Sequence, residues 1–137
     1  MLCIFPKICK DGRMSIPKKI LLVDDDPSLL ATLGQFLKFE GYDVTTAESG
    51  ETALEYLKVI RPDIIVLDMS MPGMGGMGFL KSIMGADGKP QYPVLVLTAR
   101  SQMAEMFGDI EVDGFMTKPA DPDGLLQEIA RILFQHG

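Results

Sequence analysis

Six residues in this chain have side chains able to do chemistry together: Asp24, Asp25, Asp26, Asp68, Thr98 and Lys118. Each follows or closes a short apolar run, and the runs are far apart in sequence. Brought to one place, they make a cluster of carboxylates with one hydroxyl and one ammonium. Such carboxylates repel unless a cation sits among them or one stays protonated. Their donors are all oxygen, with no His or Cys nearby, so the cation should be hard. Mg²⁺ fits best, because it takes a carboxylate or two and leaves positions for water and phosphate oxygens. A carboxylate can also attack phosphorus to give an aspartyl phosphate, with metal and lysine stabilising the charge on the transferring group. Taken singly, each residue has a plainer role. Asp26 reads as a helix cap, Asp24 or Asp25 as a solvated strand end, Thr98 as a β-branched strand residue and Lys118 as a surface charge.

The elements around these residues bring them together. Ile20–Val23 is a buried strand running into the three aspartates. Asp26-Pro27 opens a helix, with Asp as N-cap and Pro at the first helical position. Leu29, Leu30, Leu33, Phe36 and Leu37 share one face of it, and Gly41 ends it in the C-cap position. Tyr42–Ala47 is a second strand. Ser49 caps a second helix carrying Ala53, Leu54, Leu57 and Ile60, broken by Arg61-Pro62-Asp63. Ile64–Leu67 is a third strand ending at Asp68. A Gly- and Met-rich loop, Met69–Gly78, precedes a short helix marked by Phe79, Leu80 and Ile83. After a loop at Asp87–Pro93, Val94–Leu97 is a fourth strand ending at Thr98, and Ser101–Phe107 a weak fourth helix. Gly114–Thr117 is a fifth strand ending at Lys118-Pro119. Asp121-Pro122 starts a last helix, with Leu125, Leu126, Ile129, Ile132 and Leu133 on its apolar face.

That is βα five times. Solid apolar strands between amphipathic helices imply a doubly wound parallel sheet, an α/β fold with both faces covered. Such sheets bind ligands at the carboxyl ends of their strands, where the six residues stand. The 137 residues suit one domain, burying about 70% of its unfolded surface. With 13 Lys+Arg against 19 Asp+Glu, the net charge is −6, which argues against direct nucleic-acid binding. No run approaches the roughly 20 apolar residues of a membrane helix, so membrane insertion is not expected. Cys3 and Cys9 read as free thiols in a reducing compartment, consistent with the cytoplasm. Residues 1–17 form a leader expected to be poorly ordered, and residues 18–137 form the domain. The leader lacks the features of a signal peptide, Met14 is an alternative start, and a docking arm is the sharper reading of its basic residues.

The segments LLVDDDP, IIVLDMSMPGMGG, VLVLTAR and FMTKP, in that order, resemble the receiver domain of two-component response regulators over about residues 18–136. The resemblance implies a flavodoxin-like (βα)5 fold with strand order 2-1-3-4-5. It implies that Asp68 is the phosphoacceptor. Asp24 and Asp25 match the acidic pair, with Asp25 the direct Mg²⁺ ligand and Asp24 acting through water. Ser70 matches the position whose backbone carbonyl completes the metal site. Thr98 matches the switch hydroxyl, Lys118 the lysine that pairs with the phosphate, and Phe115 the aromatic switch. Phe115 lacks the Tyr hydroxyl, so its inward state would rest on packing. Ser70 and Arg100 occupy the positions that tune loss of the phosphoryl group. Lys118-Pro119 matches a bond often cis in the family. Implied partners are a sensor histidine kinase or histidine phosphotransfer protein, and a downstream effector protein or output domain. The chain would then be a self-catalysing signalling phosphoacceptor, not an enzyme acting on outside substrates.

Departures matter too. The Thr98–Lys118 interval is slightly short, and Glu111-Val112-Asp113-Gly114 precedes Phe115 where a Gly-Ala pair is common ahead of the last strand. A truncated or distorted fourth helix is therefore expected, and with it a weakened case for the family's common homodimer. The same departure keeps a phosphorylation-independent interaction module as the alternative. Gly73–Gly78 fits G-x-G-x-x-G, but an acidic first turn would repel pyrophosphate. Glycines 75, 76 and 78 predict a loose start to the third helix. Met69, Met71, Met74 and Met77 read as adaptable packing before a Cu(I) site. His136 reads as solvated. Ser at position 70 removes the Asp-x-Asp that a haloacid-dehalogenase-like phosphatase would need.

Overall fold

The computed structural model describes residues 17–68, 75–98, 112–117 and 121–136, with the backbone alone at 75–77, 98 and 136. Five strands, β1 (Lys19–Val23), β2 (Asp43–Ala47), β3 (Ile64–Asp68), β4 (Val94–Thr98) and β5 (Gly114–Thr117), form one sheet. All neighbours are parallel, in the order β2-β1-β3-β4-β5. This is the expected flavodoxin-like order, and its switch point lies between β1 and β3.

The apolar runs are continuous because both faces of the sheet are covered. Alternate residues of a strand point to opposite faces. Ile20, Leu22, Ile64, Val66, Leu95 and Leu97 therefore pack on α1 (Pro27–Phe39) and α4 (Pro122–His136), through Leu30, Leu33, Leu37, Leu125, Ile129 and Ile132. Leu21, Val23, Ile65, Leu67, Val94 and Val96 pack on α2 (Gly50–Leu57) and α3 (Gly75–Ser82), through Ala53, Phe79 and Leu80. Each fully buried Leu, Ile or Phe side chain contributes about 1.5–3 kcal/mol, so the sheet that carries the site is firmly held.

Local chemistry sets the helix ends. Asp26 caps α1, its carboxylate accepting from the Ser28 and Leu29 amides at 2.9 and 3.3 Å, with Pro27 following as expected. Ser49 caps α2 by accepting the Thr52 amide at 3.1 Å. The stop of α1 differs in detail from the sequence reading. Glu40 is the C-cap and Gly41, at φ 109°, lies one residue beyond it. The Gly41 and Tyr42 amides then donate to the carbonyls of Lys38 and Leu37 at 3.0 and 3.1 Å. This double closure needs the left-handed residue that glycine supplies, and it takes Tyr42 out of β2.

Other boundaries also shift. Helix α2 ends at Leu57, so Ile60 belongs to the turn after it, its amide donating to the Tyr56 carbonyl at 2.8 Å. Helix α3 begins at Gly75, ahead of its apolar signature, and Ile83 follows its last residue. The loop before β4 contains an antiparallel bridge between Met84 and Pro90. Residues 1–16 of the expected leader, the Met69–Met74 part of the loop and the weak helix Ser101–Phe107 lie outside the described residues. No described helix is long and apolar enough to cross a membrane.

Candidate functional site

β1 and β3 are neighbours in register, with Val23 opposite Leu67. The next residues along are Asp24, immediately after β1, and Asp68, the last residue of β3. Parallel pairing therefore places two carboxylates side by side at the switch point. Asp25 joins them: one carboxylate oxygen from each of Asp24, Asp25 and Asp68 lies within 4.8 Å of the others. Asp24 and Asp68 are buried, while Asp25 is exposed at the mouth.

The backbone holds this arrangement. The Asp24 amide donates to the Ala47 carbonyl of β2 at 3.1 Å, which extends the β1–β2 ladder to the site. Asp24 Oδ1 accepts the Asp26 amide at 3.0 Å. Asp26 is itself fixed as the α1 cap, so the turn from β1 into α1 orients the first carboxylate. Asp26 thus acts as the cap expected of it and also, through its amide, as a support for Asp24. Sequence reasoning missed that second role, although the Asp-Pro pair at 26–27 marks the turn that creates it.

The donor set fits a hard divalent cation. Removing a carboxylate from water costs several kcal/mol unless a compensating charge is near, and two of these three are buried. All three offer oxygen, and the three oxygens are close enough to share one ion. Among the described residues, this is the group of acidic, His or Cys side chains with such spacing. With Asp25 at its mouth, the cluster opens to solvent.

The remaining sequence candidates are placed as follows. Thr98 is the last residue of β4, paired with Thr117 of β5, and β4 lies beside β3 with Leu97 opposite Asp68. Its backbone therefore reaches the same end of the sheet as the carboxylates. Phe115 sits in β5 opposite Val96 and is 39% exposed. Ser70, Arg100 and Lys118 lie outside the described residues. Lys118 directly follows Thr117, the last residue of β5.

Comparison with known proteins gives one consistent answer. The profile of the response regulator receiver domain family matches residues 20–130. The transcriptional regulatory protein GlrR of Escherichia coli K12 is 40% identical over 121 residues, covering 87% of this chain and 27% of that protein. The alkaline phosphatase synthesis transcriptional regulatory protein PhoP of Bacillus subtilis is 37% identical over 118 residues, covering 85% of this chain and 48% of that protein. The chain thus spans from about a quarter to half the length of these relatives. Among solved structures, the chemotaxis response regulator CheY4 of Vibrio cholerae superposes with a TM-score of 0.74 at 31% identity, covering 85% of this chain and 99% of that one. A CheY-like receiver domain protein of Methanospirillum hungatei gives 0.78 at 27% identity, covering 88% and 96%. Strand order, the acidic switch point and these matches agree that the chain belongs to the response regulator receiver domain family of two-component signalling.

Proposed function

We propose that this domain accepts a phosphoryl group on Asp68 from a phosphohistidine donor and uses the charge it gains to change a partner-binding surface. The observation that carries this reading is the buried Asp68 carboxylate at the tip of a central strand, with Asp24 and Asp25 oxygens within 4.8 Å. A Mg²⁺ ion held by Asp24, Asp25, Asp68 and the Ser70 carbonyl would offset the carboxylate charges and stabilise the charge that develops on the phosphoryl oxygens.

An Asp68 oxygen attacks phosphorus, an O–P bond forms, and the N–P bond to the donor histidine breaks with its electron pair returning to the imidazole. Burial of Asp68 limits the approaches open to water, and its place as the last residue of β3 fixes where the carboxylate stands. Lys118, the residue that follows β5 in sequence, pairs with the phosphoryl oxygens, and the Thr98 hydroxyl donates to one of them. The modified side chain carries about −1.5 to −2 charges. Movement of Thr98 vacates space that Phe115 fills, a shift between existing states of the fold. Ser70 and Arg100 tune the later hydrolysis, with Arg100 contacting the phosphoryl group or its partner.

The donor is a sensor histidine kinase or histidine phosphotransfer protein, and the receiver of the signal is an effector protein or output domain, acting in the cytoplasm. Transfer from a phosphohistidine protein tests the reading. Label should move to this chain only with Mg²⁺ present, and hydroxylamine should release it as expected of an acyl phosphate. Hydroxylamine-resistant label, or equal transfer to Asp68→Asn, would overturn it.

A further inference from the structure

The three aspartates that follow β1 are used differently. Asp24 and Asp25 each bring an oxygen to the group around Asp68, and Asp26 is not in that group. Its carboxylate serves α1 instead. Asp26 Oδ1 accepts both the Ser28 and the Leu29 amides, at 2.9 and 3.3 Å. Pro27, the first helical residue, has no amide to satisfy. The Leu30 amide opens the regular helical pattern by donating to the Asp26 carbonyl at 3.0 Å. One residue thus engages every backbone donor of the first turn.

That residue also reaches back to the buried end of β1. The Asp26 amide donates to Asp24 Oδ1 at 3.0 Å. The amide keeps this aim while Asp26 holds the extended backbone of a cap, φ −96° and ψ 104°. Two hydrogen-bonded links therefore run in series, from the α1 amides to the Asp26 carboxylate and from the Asp26 amide to the Asp24 carboxylate. Ser49, the cap of α2, offers a contrast. Its side-chain bonds both go to Thr52, at 3.0 and 3.1 Å.

We propose that Asp26 is a positioning residue for the cation site: by capping α1 it holds the Asp24 carboxylate where a divalent ion meets it, so that the ion and the first turn of α1 stabilise each other. The inference rests on the cation part of the proposed function and adds a residue that does not touch the ion. Such coupling is reciprocal. A cap that orders Asp24 strengthens ion binding, and a bound ion tightens the turn. What counts is the acceptor geometry of Asp26 and not its charge, which is exposed and screened by salt. Asp26→Asn keeps a good capping oxygen without the charge, whereas Asp26→Ala removes both.

Calorimetric titration with Mg²⁺ alone gives the first readout. Asp26→Ala should raise the Mg²⁺ Kd about three- to fivefold, the factor expected when most of the free energy of a lost cap falls on binding. Asp26→Asn should stay within about twofold of wild type. Ser49→Ala removes a comparable cap elsewhere and should leave the Kd unchanged, which separates positioning from general loss of stability. Amide hydrogen exchange gives the second readout. Mg²⁺ should raise the protection of amides 26, 28 and 29 in wild type and Asp26→Asn, and much less in Asp26→Ala. Asp26→Ala binding as tightly as wild type, Asp26→Asn binding as weakly as Asp26→Ala, or Ser49→Ala weakened to the same extent overturns the proposal. So does protection at these three amides that ignores Mg²⁺ in wild type. A wild type that binds no Mg²⁺ overturns the cation reading and this inference with it. A wild type that binds Mg²⁺ yet takes no phosphate from acetyl phosphate overturns the phosphoacceptor reading alone.

Discussion

Replacing Asp68 by Asn in metal-free buffer should make the protein more stable, not less. Two unit charges 4.8 Å apart at an effective dielectric of about 20 repel by roughly 3.5 kcal/mol, and Asp68 lies within that distance of both Asp24 and Asp25. Asp25 is exposed, side chains rotate apart, and neighbouring cations offset part of the repulsion. We therefore expect a net gain of about 2 kcal/mol. For a domain of this size that is ~6–10 °C in melting temperature. The amide of Asn keeps the volume of the carboxylate, so packing should not reverse the sign. Mg²⁺ should then narrow the gap, since an ion that binds only the folded state stabilises wild type by about 1.4 kcal/mol at ten times its dissociation constant. Thermal melts of both proteins in EDTA and across a Mg²⁺ series measure this. A variant that melts at or below wild type in EDTA would refute the reasoning, as would an equal response of both proteins to Mg²⁺.

Three further expectations follow from single contacts. Asp26→Ala removes the acceptor of two α1 amides and should cost about 1 kcal/mol, read as a lower urea midpoint at unchanged slope. Gly114→Ala places a methyl 3.0 Å from Leu95 Cδ1 of β4 and 3.1 and 3.3 Å from Arg131 Nη2 and Ile132 Cδ1 of α4 and should cost about 1–3 kcal/mol by overpacking; a neutral result would contradict the described crowding of β4 and α4 around Gly114. Burial, and secondarily the charge of Glu40, raise the Tyr42 phenol above its ordinary value of 10.0. The folded state then holds the phenol proton more tightly than the unfolded state. That contribution to stability is complete below about pH 10 and is lost as pH rises through the raised value. Tyr42→Phe should flatten this alkaline decline in unfolding free energy, and matching slopes would refute the assignment.

Much of the architecture was legible in the residues for simple reasons. Runs such as Ile64–Leu67 are continuous because helices cover both sheet faces, and Asp26-Pro27 announces a helix start through capping geometry. Boundaries were harder where a polar residue continues a ladder, as Lys19, Asp68 and Thr98 do. Tyr42 adjoins the β-branched run that reads as the second strand, yet its amide closes α1. Ile60 fits the helical period of α2, but the helix ends three residues earlier. The meeting of Asp24 and Asp25 with Asp68 was readable from strand ends and the doubly wound order. The support of Asp24 by the Asp26 amide was not, since it depends on turn geometry. The Asp113–Arg131 contact spans 18 positions and joins a loop carbonyl to a helix side chain, so no periodicity points to it.

The most direct measurement for the central claim is the intact mass of wild type and Asp68→Asn after incubation with Mg²⁺ and acetyl phosphate. The account predicts one phosphate-sized adduct on wild type, lost when Mg²⁺ is chelated beforehand, and none on the variant. An unmodified wild type, or a variant that gains the same mass, would contradict it.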